Sequence, residues 1–154
     1  LNWTDIDFWS RELGLDILAR KEQIRHLIEV HAHVEDFLQL MRSRGKKVYI
    51  ATNAHDKVLA LKLRKTEIGK YLTGAITSAE MGYPKEKPEF WRRAEKKLGF
   101  HRENTLFVDD TLAVLRTAKQ YGIRYIVYKA KGNSKVPPGH STDFATVMDF
   151  NELM

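Results

Sequence analysis

The β-prone run Thr105-Leu106-Phe107-Val108 ends directly on two carboxylates, Asp109 and Asp110. Thr111 to Tyr121 then reads as an amphipathic helix that stops at Gly122. A buried strand, a polar strand end and a returning helix constrain the chain to an α/β fold. In an open parallel sheet, ligands bind outside the carboxyl ends of the strands, so acids placed there face the functional crevice. Two carboxylates side by side repel unless a cation or a proton is shared. They point to a metal, and to a hard one, because oxygen ligands suit Mg²⁺ or Ca²⁺.

The rest of the chain repeats that alternation. Residues 4–13 and 18–30 read as helices separated by Gly14, with Ile6, Trp9 and Leu13, then Ile24, Leu27 and Ile28, at helical spacing. A third helix runs from Val34 to Ser43, with Gly45 just past its end. Val48-Tyr49-Ile50-Ala51 is a short continuous apolar run that suits a strand covered on both faces. A helix at 56–65, a weak strand at 75–77 and a helix from Pro88 to Leu98 follow, with Pro88 in the helix's first turn. After the strand at 105–108 and its helix, Tyr125-Ile126-Val127-Tyr128 is the last strong strand. Residues 131–142 read as an exposed loop and 143–154 as a short helix. The expectation is an α/β protein with a doubly wound parallel sheet, preceded by a helical segment.

Composition narrows the function classes. At 154 residues the chain is long enough for a real core, and 43% apolar with 30% charged residues is ordinary for a globular protein. No apolar run is long enough to span a membrane, so no membrane partner is expected. The absence of cysteine excludes disulfides and thiolate metal sites and fits a cytoplasmic home. A net charge of +6 favours anionic ligands. The densest basic cluster, Arg92, Arg93, Lys96 and Lys97, lies at helical spacing and reads as a solvated face, so no nucleic-acid partner is expected. His26, His31 and His33 do not share one helix face, so they read as solvated rather than as zinc ligands.

Three elements carry candidate chemistry. Thr52-Asn53 ends the strand at 48–51, where a hydroxyl and backbone N–H groups can grip a phosphate oxygen. Taken alone, Thr52, Asn53 or Asp56 is better read as a cap on the next helix. Lys85, in Gly82-Tyr83-Pro84-Lys85 before a helix, would by itself be an ordinary solvated lysine. Asp109-Asp110 could equally be a helix start, with acids at the positive end of the dipole. Together the three match phosphoryl transfer, which is mostly positioning plus electrostatics. The lysine offsets phosphate charge, the threonine orients an oxygen, and the carboxylates hold Mg²⁺.

In this order and spacing the chain resembles the haloacid-dehalogenase-like phosphohydrolases. VYIATN with Thr52 is similar to their strand ending in Ser or Thr. KEKPEFW is similar to their lysine before a Pro-containing helix, with Lys85 fitting best and Lys87 as its rival. TLFVDD is similar to their strand ending in paired acids. The resemblance implies catalytic roles for Thr52, Lys85, Asp109 and Asp110, and phosphate binding by Thr52, Asn53 and Lys85. It makes Asp110 the direct metal ligand, with Asp109 beside it, and Mg²⁺ the cofactor. LNWTDIDFWSRELGLDI, ATNAH, GYPKE, TLFVDD and GIRY bring the likeness closest to purine nucleotidases of this superfamily that act on GMP and IMP. Residues 1–30 would then be part of a helical cap and 31–154 the α/β core, with a small phosphorylated metabolite as substrate. Trp3, Phe8 and Trp9 could stack on a purine, although aromatics at helical spacing more often pack inward.

One departure matters. The family's first motif, a strand ending in Asp-x-Asp-x-Thr, supplies the nucleophile, and nothing here matches it. Asp5-Ile6-Asp7 lacks a preceding apolar strand and reads as a helical surface. The central strand of the sheet is therefore missing from this sequence. The expectation is that it lies upstream of Leu1 and that this stretch alone is inactive. Two rival readings stay open: a non-catalytic nucleotide-binding protein on the same scaffold, and a receiver-type phosphoacceptor domain. In the receiver the acids precede the Thr and Lys, the reverse of the order here.

Overall fold

The computed structural model describes residues 2–132 and 137–154, and the part of the predicted loop at 133–136 lies outside them. The chain forms two compact units, residues 1–84 and 85–154.

In the first unit, helix α1 (Ile6–Leu13) starts where Asp5 Oδ1 accepts hydrogen bonds from the N–H groups of Asp7 (2.9 Å) and Phe8 (3.0 Å). The Phe8 bond is the main reason the Asp5 carboxyl is held below its ordinary range. Gly14, in the left-handed region at φ 63°, ends the helix. Helix α2 (Ile17–Gln23) is capped by Asp16, whose carboxylate accepts from Ala19 N–H. It is shorter than the predicted 18–30. The chain continues as a 3-10 turn at Arg25–Leu27 that leaves Ile24 and Leu27 more than half exposed. An apolar stripe without a packing partner does not hold a helix together.

Helix α3 (Val34–Ser43) buries Phe37 and Leu38. Strand β1 (Tyr49–Thr52) leads into α4 (Asp56–Thr66), then into β2 (Gly74–Thr77) and the short helix α5 (Ser78–Met81). β1 and β2 are parallel, with Thr52 opposite Thr77. Val58 and Leu61 of α4, Ile76 of β2 and Met81 are buried in this unit.

The second unit runs α6 (Pro88–Leu98), β3 (Leu106–Asp109), α7 (Leu112–Tyr121), β4 (Tyr125–Lys129) and β5 (Ala145–Val147). Its sheet has the order β3-β4-β5, parallel throughout. Phe90, Trp91 and Ala94 of α6 and Val114, Leu115 and Ala118 of α7 are almost wholly buried. Their i, i+3, i+4 spacing is the reason these segments are helices with one dry face.

The α/β class and parallel pairing hold: among the described residues the strands form two parallel sheets, one of two strands and one of three, with β1 and β3 not paired to each other. One expectation is corrected here. The predicted helix over 143–154 is a strand, β5, followed by a 3-10 turn at Phe150–Leu153. Ala145, Thr146 and Val147 find ladder partners in Val127, Tyr128 and Lys129, and the bonds of that ladder override a weak local preference. By contrast, Arg92, Arg93, Lys96 and Lys97 do form an exposed face, and His26, His31 and His33 are exposed.

A polar knot ties α6 to α7. Tyr121 Oη donates to Glu95 Oε2 (2.5 Å), Arg102 Nε donates to Glu95 Oε1 (2.9 Å), and the Arg102 guanidinium lies 4.8 Å from the Tyr121 ring centre. The Tyr121 hydroxyl is the main cause of a lowered Glu95 pKa, while burial is the main cause of a raised Tyr121 pKa. A lowered carboxylate pKa stabilises the fold above the ordinary carboxylate range, and that contribution is lost as pH falls through the native value. Tyr121→Phe is expected to cost about 1 kcal/mol in urea unfolding at neutral pH. The variant should also lose less stability than the parent on acidification. Equal acid slopes in the two proteins would show that the knot does not couple to folding.

Candidate functional site

The residues that end β3 face two environments. Asp109, the last strand residue, points inward with 8% of its side chain exposed, whereas Asp110 is exposed. Asp109 Oδ2 receives the Lys85 ammonium at 2.5 Å, and Asp109 Oδ1 accepts the Thr111 N–H at 2.9 Å in the turn that opens α7. Both of its oxygens are therefore engaged. Burying a carboxylate this deeply is unfavourable without a cation alongside it, and Lys85, itself only 11% exposed along its side chain, is that cation.

The aromatic core holds Lys85 in place. Pro88 opens α6, and the first turns of that helix bring Trp91 beneath the lysine's backbone. Trp91 Nε1 donates to the Lys85 carbonyl at 2.8 Å, and the Trp91 ring packs edge-on against Phe90 (5.2 Å) and Phe107 (4.7 Å). The rival Lys87 is exposed at the N-cap position of α6. Lys85 is the lysine that reaches Asp109.

Asp110 turns its carboxylate outward, with Oδ1 3.3 Å from the Thr111 hydroxyl. An exposed carboxylate beside one already neutralised by a lysine fits a hard divalent cation. Such ions keep several waters and take only one or two carboxylates from the protein.

In the first unit, Thr52 ends β1 and its Oγ1 accepts the Ala54 N–H at 3.0 Å, which leaves the hydroxyl hydrogen to donate elsewhere. The Asn53 carbonyl accepts from the fully buried Ser78 hydroxyl at 3.1 Å, which fixes the loop after β1 to the start of α5. The cap of α4 is none of the three residues weighed from the sequence. It is His55, whose Nδ1 accepts the Lys57 N–H at 3.3 Å. The Asp56 carboxylate instead accepts the Thr77 hydroxyl.

That histidine belongs to a seam the sequence did not reveal. With Nδ1 accepting, the ring carries its hydrogen on Nε2, which faces Asp5 Oδ1 at 3.8 Å and Asp7 Oδ2 at 4.0 Å. Lys57 Nζ bonds both oxygens of Asp7, at 2.8 and 2.7 Å. Asp5, Asp7 and His55 are close enough together to hold a metal ion. With Lys57 already on Asp7, the group reads as a seam in which the Lys57–Asp7 ion pair joins the start of α1 to the start of α4 and His55 faces both acids. About fifty residues of chain separate its two sides, so no local pattern announced it. The seam also agrees with reading Asp5-Ile6-Asp7 as a helix start and not as a nucleophile motif.

Comparison with known proteins places these features in a family. The sequence pattern of haloacid dehalogenase-like hydrolases matches residues 6–122. The GMP/IMP nucleotidase YrfG of Escherichia coli is 32% identical over the whole chain, which spans 69% of that protein. The enolase-phosphatase E1 of Anopheles gambiae is 26% identical over 80% of the chain and 42% of its own length. Among solved structures, a HAD phosphatase from Thermococcus onnurineus superposes with a TM-score of 0.82 at 23% identity. That match covers 99% of this chain and 70% of the other.

The different surroundings of the two acids and the lysine separate their effects on stability. Lys85→Met should destabilise the fold by about 3 kcal/mol, because it strands the Asp109 carboxylate in its buried position. Asp110→Asn should change stability by less than about 0.5 kcal/mol, as exposed substitutions do. Urea unfolding of both variants checks this, and equal losses would refute the division between inward and outward acid.

Proposed function

The chain belongs to the haloacid dehalogenase-like hydrolases, and we propose that it is the body of a Mg²⁺-dependent phosphatase acting on purine nucleoside monophosphates, GMP or IMP. The observation that carries this reading is the Lys85–Asp109 ion pair at the end of β3, with Asp110 exposed next to it. The 32% identity to a GMP/IMP nucleotidase supports the substrate class.

On this reading each residue has a separate task. Asp110 holds Mg²⁺, with Asp109 as its neighbour, and the ion supplies positive charge against the negative charge that develops on the phosphoryl oxygens. Lys85 pairs with Asp109 and offsets substrate charge. Thr52 donates its hydroxyl hydrogen to a phosphate oxygen, and Asn53 presents the loop's polar groups to the same anion. On this reading the phosphoryl group would pass to a nucleophilic aspartate, a role assigned to none of the residues named here. Among the described residues, β1 pairs only with β2 and β3 only with β4. Each site-bearing strand thus keeps one ladder edge on which a further parallel strand can form, and unpaired edges of this kind are normally covered.

Residues 1–30 are assigned to the helical cap that reads the base. The preference for Trp3 and Trp9 as cap core is corrected: they are 59% and 40% exposed, with Trp9 edge-on to Phe8 at 5.2 Å. Exposed indoles are suited to stacking on a purine.

The test is phosphate release by the complete gene product with GMP and IMP in Mg²⁺. Asp110→Asn should abolish turnover. Thr52→Val should lower kcat/KM by about 100-fold, as loss of an oxyanion donor does, with Thr52→Ser restoring most of it. Tight nucleotide binding without turnover would replace the enzyme with a binding protein. Equal kcat/KM for purine and non-purine phosphates would sink the substrate assignment.

A further inference from the structure

The sequence marks 131–142 only as an exposed loop, yet its first residues lie against the acid that carries the proposed function. A Cβ added at Gly132 would overlap Asp110 Oδ2, standing 2.8 Å from its Cγ and 2.9 Å from its Cβ. The backbone at 132 therefore passes across the face of the Asp110 carboxylate at a distance that only glycine permits. Gly139 makes a second close approach. A Cβ there would overlap the Tyr128 hydroxyl, and its N–H donates to the Ala130 carbonyl at 2.7 Å. Tyr128 is the ladder partner of Asp109. The start and the return of the loop thus rest on neighbouring positions at the carboxyl ends of β3 and β4.

A buried lysine fixes the start of this loop. Lys129, the last residue of β4, is only 8% exposed. Its ammonium donates to the carbonyls of Lys131 (2.8 Å) and Met148 (2.6 Å). Among the described residues its partners are these two main-chain oxygens and no carboxylate. A buried ammonium without a counter-ion is a costly group to keep. What it accomplishes is geometric: it ties the residue before Gly132 to the segment that follows β5.

We propose that Lys129 and Gly132 are positioning residues for Asp110. Lys129 holds the Lys131 carbonyl, this sets the path of Gly132, and Gly132 blocks the rotations that would swing the Asp110 carboxylate away. An exposed aspartate at a strand end otherwise samples several rotamers, and choosing one has to be offset from the binding energy of whatever it ligates. The inference rests on the reading of Asp110 as the metal ligand and adds to it the origin of the ligand's orientation.

The test measures Mn²⁺ binding to the complete gene product, without substrate, by electron paramagnetic resonance. Gly132→Ala should weaken Mn²⁺ binding by about tenfold or more, in line with the loss of a group that orients a metal ligand, while the urea midpoint stays at the parent value. In turnover, the same variant should need more Mg²⁺ for half-maximal rate yet approach the parent kcat at saturating Mg²⁺. Lys129→Met should shift Mn²⁺ binding in the same direction. Because that variant also loses stability, Gly132→Ala is the deciding one. Parent-like Mn²⁺ affinity in Gly132→Ala overturns the proposal. Parent-like affinity in Asp110→Asn overturns the metal assignment beneath it, and the two failures are distinct.

Discussion

The ion pair between Lys85 and Asp109 is the interaction on which the second unit's architecture turns. Asp109 occupies the last position of a strand with its side chain directed inward, where a lone carboxylate is costly to bury. Lys85 resolves that conflict from the loop before α6. The placement comes from packing: the Trp91 indole anchors the Lys85 carbonyl, and Phe90 and Phe107 fix the indole. Core and site are thus one object. A change in the aromatic cluster would be felt at the lysine before it was felt at the surface.

The paired acids look symmetrical in sequence and are not symmetrical in the fold. Asp109 is the last residue of β3 and Asp110 lies just past its end, so the two side chains meet different surroundings. Asp109 goes to the lysine and Asp110 to solvent. On the proposed reading this would divide the labour of a carboxylate pair at a metal, with one acid held as a fixed charge and the other left with oxygens to offer. The same asymmetry explains why Asp110 needs an orienting contact and Asp109 does not. Asp109 has a lysine and an N–H on its two oxygens, whereas Asp110 has the Thr111 hydroxyl and the backbone of Gly132.

What could be read from the sequence follows what local physics controls. Helices α3 and α6 appear with the bounds expected from their apolar spacing and their Pro or Gly punctuation. Strands β1, β3 and β4 appear within a residue of their apolar runs. That Lys85 meets Asp109 while Lys87 is exposed follows from where each stands ahead of Pro88 and Trp91. Other features depended on partners distant in the chain. β5 is a strand because β4 offers it a ladder, and α2 stops short because Ile24 and Leu27 have nothing to cover them. Trp3 and Trp9 are exposed although helical spacing favoured burial, since periodicity identifies a face without saying what packs on it.

The seam at Asp5, Asp7, His55 and Lys57 joins two helix starts and contains none of the residues proposed for catalysis. His55 caps α4 with one ring nitrogen and turns the other toward the two acids, so the imidazole spans the gap between the loop after Thr52 and the first turn of α1. Lys57 fastens Asp7 from α4 with a bidentate contact. Pairs this exposed add little to global stability, because water screens them and the long side chains lose entropy in forming them. What they supply is orientation. The helical segment that would read a base is referenced to the loop that would grip a phosphate, and both are referenced to one histidine. A surface seam worth almost nothing in folding free energy can in this way set the geometry in which a substrate's two ends are held.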